Sequence, residues 1–369
     1  MLKVLVVFGT RPEMIKLAPV IHELERRADI DVITCATGQQ SQLLDQAMRF
    51  FNIRPRYDLA VMTPNQTLAS LTARCCSTLE GVMAKEQPAW VIVQGDTTTA
   101  FTAALTGYYA DVKVAHVEAG LRSFDLRHPF PEEVNRRLIS VLANVNFAPT
   151  ETARKHLLAE GVNPSLIEVT GNTVIDALLE TVRRFDGHWP RIEPINQIDP
   201  AKKLIVVTGH RRESFGEGFQ QICQALRDLA RRPDVEIVYP VHLNPNVRQP
   251  VTSILGGLPN VHLIEPLAYP EFVGLMARSY LILTDSGGIQ EEAPSLAKPV
   301  LVMRNVTERT EAVEIGTVKL TGVDAKSILS HTCRLLEDPI AYQTMVSTAN
   351  PYGDGNASAR IADAIIRLS

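Results

Sequence analysis

Short apolar runs alternate with helical patterns along this chain, and they do so twice. In the first half, residues 3–8, 32–36, 90–94, 113–117 and 145–148 read as buried strands. Amphipathic patterns lie between them, for example over 15–27 and 68–85. Such alternation predicts a parallel sheet covered by helices on both faces. A looser stretch follows Gly187, with Pro190, Pro194 and Pro200. The pattern then restarts with strands over 203–208, 235–241, 261–263, 280–284 and 300–303. At 369 residues the chain exceeds what one core usually serves. The expected fold is therefore α/β, with two Rossmann-like domains in series and an active site in the cleft between them. The boundaries fall at 1–172 and 173–356. An amphipathic tail, 358–368, forms a last helix, and residues 357–369 pack back on the first domain.

Composition narrows the function. Hydrophobic residues make up 45% and charged residues 21%, with a net charge of −4 and no basic block. Nucleic acid and anionic membrane are therefore not expected as partners. No apolar run approaches about 18 residues, so no bilayer span is predicted. Met1-Leu2-Lys3-Val4-Leu5-Val6-Val7-Phe8 is too short for a signal peptide and runs straight into a strand pattern. Five cysteines, an odd count with no CxxC, argue for reduced thiols and a cytoplasmic location.

The polar residues gather just past strand ends. Leu283-Thr284-Asp285-Ser286-Gly287-Gly288-Ile289-Gln290-Glu291-Glu292-Ala293-Pro294 reads as a strand, a break at Asp285 and a helix opening at Ser286-Gly287-Gly288. Bare N–H groups at such a helix start suit an anion, and glycine lets phosphate oxygens approach the backbone. Ser-Gly-Gly alone fits any strand-to-helix turn. The acidic pair and the second-half position turn the reading toward a nucleotide site, with Glu292 in reach of ribose hydroxyls. Pro294 should end the helix piece.

Phe8-Gly9-Thr10-Arg11-Pro12-Glu13-Met14-Ile15-Lys16 offers a tight turn, a guanidinium fork at Arg11 and a point charge at Lys16. Solvated helix-start charges are the alternative. The stretch is not GxGxxG, so no nicotinamide or flavin cofactor is indicated. Asp96 in Gly95-Asp96-Thr97-Thr98 and Glu118 in His116-Val117-Glu118-Ala119-Gly120-Leu121-Arg122 both follow strands. Asp96 suits chemistry or a helix cap. Glu118 lies in an apolar run, where it needs Arg122 or another cation, or serves chemistry. Pro131-Glu132-Glu133 with Arg136-Arg137 supplies two further acids, or simply a helix start. Gly209-His210-Arg211-Arg212-Glu213 suits an anionic leaving group. His242 is left as structural, Phe272 as base-stacking or core, and Arg309 as a phosphate or sugar candidate. Asp29-Ile30-Asp31 falls at the amino edge of the sheet and is rejected as a metal motif. No other spacing suggests a metal.

These motifs together closely resemble the non-hydrolysing UDP-N-acetylglucosamine 2-epimerases, nearly end to end, with Thr170-Gly171-Asn172-Thr173 among them. The resemblance implies a GT-B arrangement of two Rossmann-like domains, a homodimer, and no cofactor. It implies that Ser286, Gly287, Gly288 and Glu292 bind UDP, with Phe272 and the Leu267 backbone near uracil. It puts Arg11, Lys16, His210 and Arg309 around the phosphates and sugar, and Asp96, Glu118 and Glu132 beside the sugar as acid/base groups, with His210 counted among the catalytic residues. The expected partner is a UDP-sugar, and the expected reaction interconverts UDP-N-acetylglucosamine and UDP-N-acetylmannosamine through a glycal, for bacterial surface polysaccharide. A GT-B glycosyltransferase and a non-catalytic UDP-sugar-binding regulator are the alternatives, and the acids at 96, 118 and 132 argue against both. The chain departs from the family at Gly38-Gln39-Gln40-Ser41, where many bacterial members have Gln-His, at Ser77, where Arg is frequent, and at Thr310, where Pro is frequent. The first two positions belong to the family's activating substrate site, so weak or absent activation by substrate is expected.

Overall fold

The computed structural model describes residues 1–369 apart from 39, 40, 64, 190 and 194, and apart from the side chains of residues 41–43 and 212. The family contrast at Gln39-Gln40 therefore lies outside the described residues. So does the side chain of Ser41.

Two units are formed. One holds Met1–Glu180 and Tyr352–Ser369, the other Thr181–Pro351. The first carries β1 (Leu2–Phe8), β2 (Ile30–Ala36), β3 (Tyr57–Asp58), β4 (Trp90–Gln94), β5 (Lys113–Val117), β6 (Val145–Ala148) and β7 (Ile167–Val169). They lie in one sheet in the order β3-β2-β1-β4-β5-β6-β7. The second carries β8 (Lys203–Thr208), β9 (Val235–Pro240), β10 (Val261–Ile264), β11 (Leu281–Thr284), β12 (Val300–Val302) and β13 (Val318–Leu320), in the order β10-β9-β8-β11-β12-β13. Neighbouring strands run parallel, Val4 opposite both Val32 and Trp90, for instance. Val4, Leu5, Val6, Val7 and Phe8 are all fully buried. That continuous burial is what a parallel sheet covered on both faces requires. The expected α/β class with two Rossmann-like sheets is the fold observed.

Both sheets run outward from their first strand in one direction and then in the other. The reversal falls between β1 and β4 in one unit and between β8 and β11 in the other. Loops leaving the carboxyl ends of such strand pairs splay apart and leave room for a ligand.

Differences from the sequence reading are local. The first helix runs Arg11–Glu25, starting earlier than expected. Thr10 caps it, and Glu13 reaches back to the cap backbone. The strands β3, β7 and β13 were not expected. They have two or three residues each and lie at or near sheet edges. Asp31 pairs with Arg56 at 2.7 Å. Among the described residues no group of three His, Cys, Asp or Glu is placed to hold a metal, and no helix is long and apolar enough to cross a membrane.

The last helix, Ala357–Arg367, buries Ile361, Ala362 and Ile365. It packs on the helix Arg11–Glu25. Asp176 accepts from Ser358 N at 2.8 Å and Ala357 N at 3.3 Å, so it holds the start of that helix. Trp90 Nε1 donates to Ser369 Oγ at 3.0 Å at the other end.

Candidate functional site

In the first unit, the loops after β1 and β4 are tied by one carboxylate. Glu13 Oε2 accepts from Gly9 N at 3.0 Å and Thr10 N at 2.7 Å, while Oε1 accepts from Thr97 Oγ1 at 2.6 Å. Glu13 is buried, and burial pushes its carboxyl above the ordinary value against these hydrogen bonds. Gly9 has no room for a side chain: a Cβ there would lie 2.3 Å from Thr37 Oγ1 and 2.4 Å from Thr99 Oγ1. Arg11, the first residue of the helix Arg11–Glu25 that this loop leads into, is half-buried. Among the described residues its guanidinium has no hydrogen bond or ion pair, and burial pulls its pKa down. A cation held partly out of water without a partner is a receptive place for an anion.

Lys16 lies further along the same helix, and its Nζ meets Glu118 Oε2 at 2.5 Å. The cation beside Glu118 is thus Lys16. Arg122, the sequence candidate, is engaged elsewhere. Its guanidinium is buried and grips Glu160 through Nε at 2.9 Å and Nη2 at 2.7 Å. Glu118 also has φ +65°, in the left-handed region. For a glutamate that conformation costs on the order of 1–3 kcal/mol and persists only where surroundings enforce it.

Asp96 follows β4 and pairs with Arg136, while Asn135 Nδ2 donates to its carbonyl at 2.9 Å. Asp96 is not the helix cap. Thr97 caps the helix Thr98–Tyr109, accepting from Ala100 N at 3.0 Å. Burial pushes the Asp96 carboxyl up; Arg136 opposes this and the Glu118 carboxylate adds to it. His116 donates toward Gly95 O at 2.8 Å, and burial lowers its pKa to about 4, so it holds this loop as a neutral ring.

The adjacent acids of Pro131-Glu132-Glu133 part company. Glu133 is buried and accepts from Ser123 N at 3.0 Å, Phe124 N at 3.3 Å and Arg137 Nε at 3.2 Å. It fixes the loop before the helix Glu132–Leu142. Glu132, half-buried at the first position of that helix, makes no hydrogen bond or ion pair among the described residues. Of the two, Glu133 is the one bound into the structure.

In the second unit the loops after β8 and β11 are tied in a similar way. Thr208 Oγ1 and Thr284 Oγ1 share a hydrogen bond of 2.6 Å. Asp285, fully buried, accepts through Oδ2 from His210 N and Arg211 N, both at 2.7 Å. Its Oδ1 lies 3.4 Å from His210 Nδ1. His242, read as structural, stacks on His210 with centroids 5.5 Å apart and planes 17° off parallel.

Ser286 occupies the cap position of the helix Gly287–Glu292, and its hydroxyl makes no cap bond. Beyond Glu292 the chain tightens to a 3₁₀ turn, Ala293–Leu296, where Pro294 was expected to end the helix. A Cβ at Gly288 would meet nothing nearer than Glu292 Oε2 at 3.9 Å, so this backbone is open to a ligand. A Cβ at Gly287 would lie 3.1 Å from Arg309 Cζ, so glycine is what lets this guanidinium rest on the helix start. Arg309 Nε donates to Glu291 Oε1 at 2.8 Å. Glu292 is buried and accepts from Tyr269 OH at 3.0 Å. Leu267 precedes the helix Tyr269–Arg278, and Phe272 lies within it; both are half-buried.

Sequence reasoning missed Arg304 as a site support. Its buried guanidinium links Glu213 (2.5 Å) to Glu308 (3.1 Å), joining the loops that carry His210 and Arg309. It missed Tyr269 as well. Both partnerships join distant parts of the chain, and no local spacing marks them.

Known proteins resemble this chain over its whole length. The family model described as UDP-N-acetylglucosamine 2-epimerase matches residues 22–366. A UDP-N-acetylglucosamine 2-epimerase from Escherichia coli O157:H7 is 52% identical over 375 residues, covering 99% of this chain and 98% of that protein. The crystal structure of the UDP-GlcNAc 2-epimerase from Neisseria meningitidis bound to UDP-GlcNAc is similar with a TM-score of 0.88 and 47% identity, covering 99% of this chain and 100% of that one. The Methanocaldococcus jannaschii UDP-GlcNAc 2-epimerase in complex with UDP-GlcNAc and UDP is similar with a TM-score of 0.77 and 32% identity, again over 99% and 100%.

Proposed function

This chain belongs to the UDP-N-acetylglucosamine 2-epimerase family, and from that premise we propose that it interconverts UDP-N-acetylglucosamine and UDP-N-acetylmannosamine by inverting C2 of the sugar. The observation that carries the reading is the charged group at the carboxyl edge of the first sheet: the Asp96 and Glu118 carboxylates with Arg136 and Lys16 against them. The C2 proton has no neighbouring carbonyl to acidify it, so its direct removal faces a high barrier. Elimination offers another route. A carboxylate takes the C2 proton as the C1–O bond breaks, the electron pair of that bond leaves with UDP, and a C1=C2 double bond forms to give 2-acetamidoglucal. UDP oxygen then re-adds at C1 while an acid delivers a proton to the other face of C2.

Asp96, Glu118 and Glu132 serve as the acid/base groups of both faces. The left-handed backbone of Glu118 and the Glu132 carboxylate, without a hydrogen bond or ion pair among the described residues, support these roles. Arg11, Lys16, His210 and Arg309 stabilise charge growing on the leaving diphosphate. Ser286, Gly287 and Gly288 cradle it with backbone N–H groups, Glu292 holds the ribose, and the Leu267 backbone and Phe272 flank uracil. Redox cofactor and metal have no part in this route. The same reading makes the protein a cytoplasmic homodimer that supplies bacterial surface polysaccharide synthesis. The five unpaired cysteines support the reducing compartment.

The test is incubation with UDP-N-acetylglucosamine in deuterated water, followed by NMR. Epimer carrying deuterium at C2 is expected, with oxygen-18 in the C1–O bridge scrambling into non-bridging positions as the bond breaks and reforms. No epimer from any UDP 2-acetamido sugar sinks the reading. For the nucleotide, Glu292→Ala is expected to weaken UDP binding by roughly 1.5–3 kcal/mol, the scale of hydrogen bonds to a charged group. Calorimetry showing unchanged affinity would remove Glu292 from the ribose.

A further inference from the structure

We propose that Asp285 is a positioning residue: it holds His210 as the Nδ1–H tautomer and stabilises its imidazolium, so that Nε2–H is offered to the nucleotide diphosphate. The inference rests on the reading of His210 as a diphosphate contact. Asp285 is fully buried and, among the described residues, has no Lys or Arg partner. Such a carboxylate is costly unless its oxygens are satisfied. Two backbone N–H groups pin Oδ2 and fix the orientation of the whole carboxylate. Oδ1 is left buried without a hydrogen bond, and it faces His210 Nδ1 at 3.4 Å. The carboxylate therefore cannot turn away, and the imidazole is the group placed to answer it.

With Nδ1 facing Asp285, Nε2 lies on the far edge of a ring whose side chain is 44% exposed. Among the described residues, the groups facing His210 are Asp285, His242 and Arg211. Asp285 favours the imidazolium; the stacked His242 ring, neighbouring Arg211 and partial burial oppose it, and burial is the largest of these effects. Burial outweighs the carboxylate, and the ring is left below its ordinary pKa. An anion arriving at Nε2 raises the proton affinity of the ring, which takes a proton from solvent at Nε2 and draws Nδ1–H toward Oδ1. Contacts of this kind are often long before the ligand binds. A buried carboxylate that sets the tautomer and orientation of a histidine is an established device for making one ring nitrogen do directed work.

The test uses the whole protein. In nitrogen-15 NMR of the free protein above its titration, neutral His210 is expected to carry its proton on Nδ1. Asp285→Asn keeps a carbonyl for the two backbone N–H groups and turns an amide N–H toward Nδ1. The ring is then expected to switch to the Nε2–H tautomer and titrate at lower pH. The weakening of UDP binding with rising pH should begin earlier, and turnover should fall about 10²–10⁴-fold. In a His210→Asn background, Asp285→Asn should cost no further UDP affinity. An Nε2–H tautomer in the unaltered protein overturns the proposal, even if the variant does not fold. So does an unmoved titration in Asp285→Asn, or an equal loss of UDP affinity with and without His210. Tautomer and UDP binding need no turnover. A protein that passes these tests but forms no epimer sinks the reaction reading and leaves the Asp285–His210 pair standing.

Discussion

Asp96→Asn, Glu118→Gln and Glu132→Gln are each expected to lower turnover about 10²–10⁴-fold, the usual contribution of a general acid or base, with UDP affinity little changed. The residues proposed above to cradle the diphosphate backbone and hold the ribose, Ser286, Gly287, Gly288 and Glu292, belong to the second unit, and the three acids belong to the first. Steady-state kinetics with calorimetry of UDP separates the two effects, and near-normal turnover in any variant removes that residue from the chemistry. Asp96→Asn has a second signature in stability. Burial raises the Asp96 carboxyl in the folded protein, so the native state holds that proton more tightly than the unfolded chain. Stability from this group is then present at low pH and is lost as pH rises from the ordinary carboxylate value through the raised folded one. Asn does not titrate. The variant should therefore gain on the unaltered protein as pH climbs through that window, measured by urea unfolding at its two ends. Residues kept for chemistry commonly carry such a stability penalty.

Glu13→Ala is expected to destabilise the protein by about 2–4 kcal/mol and to abolish most activity. The substitution strands three donors: Gly9 N, Thr10 N and Thr97 Oγ1. Each buried donor left unmade costs about 1–3 kcal/mol, and relief of the buried carboxylate offsets part of the sum. Activity should fall further than stability alone explains, because Glu13 holds the loop carrying Arg11 against the loop carrying Asp96. Glu13→Gln retains one acceptor and should fall between the two. Chemical unfolding and kinetics on the folded fraction check the order; Ala and Gln variants of equal stability would show that the three hydrogen bonds do not matter.

The sheets were legible because buried parallel strands announce themselves as short apolar runs. Trp90–Gln94, Lys113–Val117 and Val145–Ala148 appear with the limits read from sequence. Tyr57–Asp58 and Val318–Leu320 were not read. Their short lengths and partial exposure leave no run to recognise. The early start of the first helix had a signal in the sequence, Thr10 followed by Glu13, and the apolar period beginning at Ile15 obscured it. The candidate residues could be nominated because loops past strand ends are short and rich in Gly, Asp and His. Their partners could not. Lys16 and Glu118 are 102 positions apart, and Arg122 and Glu160 are 38 apart. Sequence could say only that Glu118 needed a cation, Arg122 or another, or served chemistry. The separate roles of Glu132 and Glu133 likewise depend on where the loop at Ser123 and Phe124 returns.

The split composition of the first unit has a consequence for a chain being made. A ribosome releases the seven-stranded sheet early. The helix Ala357–Arg367 that packs on Arg11–Glu25 emerges only after all of Thr181–Pro351. The second unit is continuous, so it is the one able to close its core as it arrives, although it comes later in the sequence. The first unit must keep an apolar helix face uncovered through that interval. A contact between residues so far apart is slow to form, and such a waiting surface is what chaperones bind and aggregates recruit.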